Sequence, residues 1–213
     1  LYADEIPDPQ DCELTVNNFA IHGHPSGTQI AYDGNIPFAT TCNLSFTSSR
    51  FGNATGSVAS NQDSVNITSP GSHDTLATGQ DILVQWDAGG SSDFYLVYVG
   101  LNLYDSLDTF LLSRNWERPV QVDHYIIPWD SLTAPGCAYA WVMVQVYPTK
   151  GPFPEPGAQG NLTGDVEGFL YAWGFTDLVS FYVGTPVKGS VPMAIKEPMP
   201  AERLEAIKEL TGY

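Results

Sequence analysis

Residues Val65 to Val99 decide the fold, and they read VNITSPGSHDTLATGQDILVQWDAGGSSDFYLVYV. Short runs of β-branched and aromatic residues end at Pro70, at Gly79 and at the pair Gly89-Gly90, which is typical of strands joined by turns. Between Ile82 and Trp86, the first, third and fifth residues are large and apolar and share one face of an extended chain. The stretch therefore predicts the first strands of a sheet with one buried face.

The segments that follow show the same pattern of short strand-like runs separated by turn residues. In AYAWVMVQVYP both faces are largely apolar, which is typical of a central strand that is covered on both sides. Turn residues separate the segments, and no helical repeat lies between them, so we predict an antiparallel β-sandwich over residues 61–187. The other strand-like segments in this range are FYLVYVGLNL, FLLSRNW, VDHYIIPW, GFLYAWGF and LVSFYVG.

The first 60 residues form a separate block in this interpretation. Residues 12–59 contain three or four strand candidates, separated by HPSG, DGN and FGNATG, whose compositions are typical of turns. They form either a small β-module of their own or strands added to the main sandwich, and the sequence leaves both open. Residues 1–11 carry acids and two prolines, which predicts an extended arm.

Two further segments interrupt the strand pattern. Thr149 to Gly168 is rich in proline and glycine and has no apolar period, so it predicts a long loop between the last two strands. Residues 188–213 form a tail, in which PAERLEAIKELTGY predicts the one short amphipathic helix of the chain. We expect its apolar stripe to pack on its own sandwich or on a neighbouring subunit.

The segment VNITSPGSHDTLATGQDILVQW resembles the opening strands of immunoglobulin-like and fibronectin-III-like modules of secreted and cell-surface proteins. The residues that carry the resemblance are Ile67-Thr68-Ser69-Pro70, Gly79 and Trp86. It implies a two-sheet sandwich. It implies little about activity, because such modules occur in adhesins, enzyme accessory modules, receptor ectodomains and filament subunits alike.

The charge of the chain excludes some partners. The formal net charge is −16 at pH 7, with eight basic against 24 acidic residues, and no lysine precedes Lys150. Such a surface repels phosphate backbones and anionic lipids, so we expect neither nucleic acid nor a membrane surface as partner. No apolar run approaches the ~20 residues that span a bilayer. Cations, neutral glycans and other proteins remain as candidate partners.

Several features favour an extracellular or cell-surface location. Four N-x-[ST] sequons, at Asn43, Asn53, Asn66 and Asn161, are candidate glycosylation sites. The start, LYADEIPDPQ, has neither a basic nor a long apolar region, so we expect any export signal to be removed or absent from this chain.

Three cysteines bear on the same question. Cys12 and Cys42 lie at the edges of strand-like runs, and neighbouring strands would bring them within bridging distance, so we predict a disulfide between them. An exported protein is the usual setting for such a bridge. Cys137 then remains as a small buried hydrophobic residue.

No catalytic signature is present, so we expect a protein that is not an enzyme and needs no cofactor. The sequence contains no G-x-S-x-G, H-E-x-x-H, P-loop, dinucleotide-binding glycine fingerprint or C-x-x-C. Acids in two loops, Asp87 with Asp93 and Asp165 with Glu167, are candidate ligands for a structural Ca²⁺, because this ion takes several oxygen ligands from flexible loops.

Three functions follow, in order of preference. The first is a structural or adhesive protein that self-associates through its terminal arms into an extracellular assembly, such as a filament. The second is a carbohydrate-binding module that stacks sugar rings on exposed aromatics, for which Trp116, Trp129, Tyr147 and Trp173 are candidates. The third is a glycoside hydrolase or other hydrolase that uses paired carboxylates.

Overall fold

The computed structural model describes residues 11–26, 29–33 and 35–187. In this part of the chain the fold is all-β, which confirms the predicted class, with strands, turns and a short 3-10 turn at Trp129–Ser131. No α-helix occurs among the described residues. Residues 1–10 of the predicted arm (residues 1–11) and the predicted helix within residues 200–213 lie outside them.

The strands are numbered in chain order. They are β1 (Cys12–Val16), β2 (Phe19–Ser26), β3 (Gln29–Asp33), β4 (Thr41–Ser48), β5 (Gly52–Ala59), β6 (Ser64–Ser69), β7 (Thr75–Leu76), β8 (Ile82–Gly89), β9 (Phe94–Tyr104), β10 (Phe110–Val120), β11 (His124–Ile127), β12 (Tyr139–Lys150), β13 (Leu162–Gly164), β14 (Ala172–Trp173) and β15 (Asp177–Val183).

The chain divides into two compact units, and each unit is made of separate stretches of sequence. The N-terminal unit contains the residues up to Asn61 together with Lys150–Ala172, and the C-terminal unit contains Gln62–Thr149 and resumes at Trp173. Within the described residues, the chain therefore passes from one unit to the other three times. The first passage, after Asn61, falls beside the boundary predicted at residue 60.

Two sheets form the C-terminal unit. The larger has the strand order β10-β9-β12-β15-β7, with β14 also paired to β12, and the smaller has the order β11-β8-β6. Neighbouring strands along these two orders run antiparallel except β15 and β7, which run parallel. The two sheets face each other, because inward side chains from both belong to one continuous apolar cluster.

The alternation predicted for β8 is confirmed. Ile82, Val84 and Trp86 are buried in the large cluster, whereas Leu83 on the opposite face is 45% exposed and Gln85 is exposed. Apolar side chains leave water on one face, and burial of each contributes about 1.5–3 kcal/mol. The stretch that decides the fold thus supplies one wall of the core.

Strand β12 is buried on both faces, as predicted for a central strand. Val142 and Val144 point into the large cluster. On the other face, Met143 and Tyr147 pack with Leu96 and Tyr98 of β9 in a second cluster, and Gln145 between them is also buried.

One sheet forms the N-terminal unit, with the strand order β13-β5-β4-β1-β2-β3. Its alternation places Cys12, Phe46 and Ala54 on the buried face, with Leu14 and Leu162 among the partly buried residues packed against them. Residues 12–59 contribute five strands, where three or four were predicted.

The segment predicted as a long loop contains a strand. Within Thr149 to Gly168, β13 pairs antiparallel with β5, and Thr163 lies opposite Thr55. A Cβ atom at Gly56 would lie 2.6 Å from the backbone oxygen of Asn161, so the strand approaches this closely only because residue 56 is glycine. The glycines of FGNATG therefore belong to β5 itself and not to a turn.

The predicted disulfide is absent, because the register separates its two cysteines. Cys12 of β1 lies opposite Ser48 at one end of β4, whereas Cys42 lies six residues away near the other end of that strand. At ~3.4 Å per residue the separation is about 20 Å, and a disulfide needs Cα atoms within about 7 Å. All three cysteines are free, and half-buried Cys137 packs against the large cluster.

Candidate functional site

Hydroxyl and amide side chains predominate on the exposed face of strands β4 and β5 of the N-terminal sheet. Because side chains alternate along a strand, the residues between the apolar ones of β4 and β5 all point away from the core. The cross-strand register aligns one hydroxyl from each of four neighbouring strands in a row, which consists of Thr15, Ser45, Thr55 and Thr163.

The turn between β1 and β2 forms one wall beside this row. Asn17 and Asn18 are its two residues, with φ of 50° and 67°. Asparagine tolerates this left-handed region, and two such residues are typical of a tight type I′ hairpin. The Asn17 side chain donates a hydrogen bond to the Thr41 backbone oxygen at 3.1 Å and accepts one from the Asn43 backbone N–H at 2.9 Å. The wall is therefore fastened to β4.

Asn161 forms the opposite wall, just before β13. Its Nδ2 donates hydrogen bonds to the backbone oxygens of Ser57 at 3.1 Å and Leu170 at 3.0 Å, and its Oδ1 accepts one from the Leu170 N–H at 2.6 Å. The Asn161 side chain thus connects the residue before β13 both to β5 and to Leu170, which follows β13 in the chain.

Between the two walls lies an open depression of about 730 Å³, which we call the trough. Apart from Leu44 and Gly56, every residue that lines it ends in a hydroxyl or an amide. None of the lining residues is charged, although the chain carries a net charge of −16. The lining residues are Thr15, Asn17, Asn18, Asn43, Leu44, Ser45, Thr55, Gly56, Ser57, Asn161 and Thr163.

Two acids lie beyond one end of the trough. Glu13 is two residues from Thr15 along β1 and lies opposite Thr47. Asp165 is two residues beyond Thr163, and its carboxylate accepts a hydrogen bond from the Asn53 N–H at 2.8 Å. The trough is neutral inside and has negative charge near this end.

The chemistry that the trough offers is hydrogen bonding. Each hydroxyl donates one and accepts up to two hydrogen bonds, and each amide does both. The lining contains no acid, base or thiol that would transfer a proton or attack a carbonyl. An uncharged ligand with many hydroxyl or amide groups fits this surface.

The four acids predicted to bind calcium do not come together. Asp87 lies on β8 opposite Asn66, and Asp93 follows in the loop before β9, in the C-terminal unit. Asp165 and Glu167 belong to the N-terminal unit. Within the described ranges, no three acidic, histidine or cysteine side chains are grouped as a metal site would require. Calcium binding stays a prediction.

A different carboxylate holds the loop between β8 and β9. Asp63 accepts hydrogen bonds from the Ser91 N–H and the Ser92 hydroxyl, each at 2.8 Å. Gly90 has a φ of +135°, and a Cβ atom there would overlap the Asp63 carboxylate. The loop that we predicted as a cation site is therefore organised around an acid outside the predicted set.

The four aromatic residues predicted to bind sugars differ in exposure. Trp116 and Trp129 are half-buried against the large cluster, and Tyr147 is 6% exposed. Trp173 is 39% exposed, with its ring centroid 6.0 Å from that of Tyr147. Of the four candidates, only Tyr147 and Trp173 are brought together, and Tyr147 is buried.

Three of the four sequons lie on the face of the trough. In a strand, the asparagine and the hydroxyl residue of N-x-[ST] point to the same side, so each sequon contributes two polar groups to one face. The sequons at Asn43 and Asn161 provide lining residues, and the sequon at Asn53 provides Thr55. Asn66 lies on β6, in the C-terminal unit.

Sequence reasoning missed most of the trough. It singled out Asn43 and Asn161 as modification sites, but not Thr15, Asn17 or Ser57. The signal that was available is the alternation of Ser, Thr and Asn with apolar residues in TCNLSFTS and GNATGSVA. Their convergence depends on the strand order, which the sequence did not reveal.

The clearest pKa shifts occur outside the trough. Burial raises the pKa of Tyr171, Tyr95 and Tyr182. Asp63 and Asp123 raise the pKa of Tyr95 further, and Tyr104 and Asp108 raise that of Tyr182. Hydrogen bonds from the backbone N–H groups of Thr109 and Leu107 hold the pKa of Asp105 below its usual value. These shifts accompany burial and turn formation, and none belongs to a trough residue.

Comparison with known proteins adds no family to this picture. No protein-family model matches the sequence, and no curated protein matches it. Among the described residues, none of the helical segments has the length and apolar character of a membrane span.

Proposed function

We propose that this chain is a non-enzymatic, exported protein with an adhesive role at the cell surface. The observation that carries the proposal is the trough, an open depression of about 730 Å³ on the N-terminal unit. Its side chains bind by hydrogen bonds and include no group that activates a nucleophile or transfers a proton. Such a surface suits recognition of a ligand without its conversion.

We infer that the C-terminal unit is an immunoglobulin-like sandwich. Its smaller sheet has β8 between β6 and β11, which corresponds to strands A, B and E of that fold. The larger sheet has β12 between β9 and β15, which corresponds to strands C, F and G. This strand order, together with the resemblance of residues 65–86, supports the inference.

Export is supported by the sequons and by the acidic, lysine-poor composition. The predicted disulfide no longer supports it, because Cys12, Cys42 and Cys137 are free thiols. Secretion by a eukaryotic host with the Asn66 sequon occupied, seen by mass spectrometry, would strengthen the inference, because Asn66 lies outside the trough. Retention of the chain inside that host without glycans would count against it.

Self-association through the terminal arms belongs to the proposal but concerns residues outside the described ranges. The test compares the sedimentation of the full chain with that of variants lacking residues 1–11 or 190–213. We expect the full chain to form assemblies that at least one truncation reduces. Identical monomers in all three samples at high concentration would remove this part of the proposal.

Adhesion is tested with beads that carry the full chain. We expect retention on surfaces coated with cell-wall or extracellular-matrix polymers, several-fold above that of albumin-coated beads. Equal retention of the two kinds of bead on every coating would overturn the proposal. Hydrolysis of chromogenic glycosides or esters by the purified chain would also overturn it and favour the hydrolase.

A carbohydrate-binding module with an aromatic platform is the second candidate. The exposed ring of Trp173 next to Tyr147 favours it, because aromatic faces stack on sugar rings. A Trp173→Ala variant that loses binding to a glycan-coated surface would support this candidate.

A further inference from the structure

We propose that the trough binds a neutral oligosaccharide, and that the row of hydroxyls across β1, β4, β5 and β13 is its recognition surface. This inference rests on the adhesive function proposed above and names the ligand class. The residues of the row are Thr15, Ser45, Thr55 and Thr163, with Ser57 and Asn43 beside them.

The first argument is that these groups have unused hydrogen-bonding capacity. The hydroxyls of Thr15, Ser45, Thr55 and Ser57 make no hydrogen bond within the part of the chain that the structure describes. Ser45, Thr55 and Ser57 are exposed. Ser45 and Thr55 face each other on neighbouring strands about 5 Å apart, and Ser57 lies two residues, about 7 Å, from Thr55 along β5. A ligand gains several hydrogen bonds here at once only if it presents hydroxyls or amides in a similar dense array.

The second argument is that the walls are rigid before any ligand binds. Asn17 fixes one wall through hydrogen bonds to Thr41 and Asn43, and Asn161 fixes the other through Ser57 and Leu170. A surface that is ordered in advance loses little conformational entropy on binding. The amides of the two walls thus hold the shape, while the hydroxyls between them meet the ligand.

The third argument concerns charge and predicts which class of glycan the trough binds. The lining is uncharged, and Glu13 and Asp165 lie beyond one end of it, on a chain with a net charge of −16. Sulfated, phosphorylated or carboxylated sugars would be repelled and would find no cation to pair with in the trough. The trough therefore favours unmodified neutral sugars over their acidic counterparts.

Because no aromatic residue lines the trough, we expect a single trough to have a low affinity for its ligand. Each neutral hydrogen bond adds only a modest net affinity, so one trough alone binds weakly. Several copies on one surface raise the overall affinity by about 10²–10⁴ when they engage the same polymer. Weak single sites with strong multivalent attachment are what an adhesive protein requires.

The test uses the full chain, produced without N-glycans, on an array of neutral oligosaccharides and their sulfated and carboxylated counterparts. We expect multivalent chain to bind neutral members and to bind the acidic counterparts less. Binding constants for the best neutral member are then measured by calorimetry for the wild type and for the double variant Ser45→Ala/Thr55→Val. We expect about a tenfold loss, since two hydroxyls are removed.

Two controls locate the site. Thr47→Val changes the exposed residue next along the same face of β4, outside the lining, and is expected to leave binding unchanged. Trp173→Ala removes the exposed member of the four candidate sugar-binding aromatics and is also expected to have no effect. Thermal melting of each variant verifies the fold.

The outcomes separate this inference from the proposed function. Neutral glycan binding that the double variant leaves intact, or that Trp173→Ala abolishes, overturns the trough inference while adhesion stands. A preference for acidic glycans, or no binding on the array while beads still adhere to surfaces, does the same. Failure of the beads on every surface overturns the proposed function itself. A glycan on Asn43 or Asn161 in protein from its natural source would cover the trough and would also overturn the inference.

Discussion

The two units of this chain use the same alternation of side chains for different purposes. In the C-terminal unit, both sheets turn their apolar faces to one continuous cluster, and β12 is buried on its two faces. In the N-terminal unit, a single sheet buries a small cluster around Phe46 and exposes the hydroxyls and amides of the trough on its other face. The comparison shows that the larger core belongs to the C-terminal unit, whereas the polar trough, for which we proposed a recognition role, belongs to the N-terminal unit.

The largest effect is expected in the C-terminal core. Phe181 of β15 is fully buried in the large cluster. Phe181→Ala leaves a cavity there, and we expect it to lower the free energy of unfolding by about 3–5 kcal/mol in urea denaturation. The control is Leu178→Ala on the same strand, where the side chain is 43% exposed and a much smaller loss is expected. Equal losses would contradict the description of a closed core.

The next effect concerns the attachment of β13 to β5. Gly56→Ala places a methyl group where the Asn161 backbone oxygen lies 2.6 Å away, so β13 must shift. We expect a loss of about 1–3 kcal/mol, together with faster proteolysis between residues 150 and 172. At Gly168 the nearest atom to an added Cβ lies 3.5 Å away, in ordinary contact, so Gly168→Ala is the matched control. Slow proteolysis of both variants would argue against a docked β13.

A smaller effect is expected at the wall of the trough. Asn17→Gly keeps the left-handed turn but removes the hydrogen bonds to Thr41 and Asn43. We expect a loss of about 1–2 kcal/mol in thermal or urea unfolding. Asn18→Gly keeps the same backbone and has no side-chain hydrogen bond to a described residue, so it is expected to change stability by a few tenths of a kcal/mol at most. The difference between the two variants measures how much the side-chain hydrogen bonds of Asn17 contribute to the free energy of unfolding.

The pH dependence at the tip of the β9-β10 hairpin provides a still smaller effect. Backbone N–H groups lower the pKa of Asp105 in the folded state. Its contribution to stability is therefore present above the unfolded pKa of about 4 and is lost as the pH falls through the folded value. We expect Asp105→Asn to lower the melting temperature slightly at neutral pH and to match the wild type in strong acid. A difference that grows in acid would contradict the assigned direction.

No effect at all is expected from a reducing agent. The three cysteines are free, so a thiol reductant is predicted to leave the melting temperature of both units unchanged. Alkylation of the denatured chain without reductant should modify three thiols by mass spectrometry. Two thiols protected from alkylation would restore the disulfide and would require a different register between β1 and β4.

The sequence predicted those parts of the fold in which local pattern and burial agree. Alternation around Val84 identified β8, and two apolar faces identified β12 as a central strand. It did not predict β13, because Leu162–Gly164 has no pattern of its own and becomes a strand only beside Gly56. For the same reason, the glycines of FGNATG were predicted to form a turn, although Gly56 makes room for β13.

The trough was not predicted, because outward-facing polar residues carry no signal of their position. Ser45 and Thr55 are ordinary exposed residues until the strand order makes them neighbours. The disulfide prediction failed in the same way: Cys12 and Cys42 do lie on adjacent strands, but the register decides the distance. Pairing between strands distant in sequence is information that a single sequence expresses weakly.

The repeated passage of the chain between the two units has a consequence for its biosynthesis. Thr163 pairs beside Thr55 but is 108 residues later in the sequence. At a synthesis rate of about 5–20 residues per second, the edge of β5 stays open for several seconds while most of the C-terminal unit emerges from the ribosome. During that interval, β5 of a neighbouring nascent chain on the same messenger has the same open edge. A β13 segment that one chain has already made can therefore pair with β5 of the next chain before that chain has synthesised its own β13.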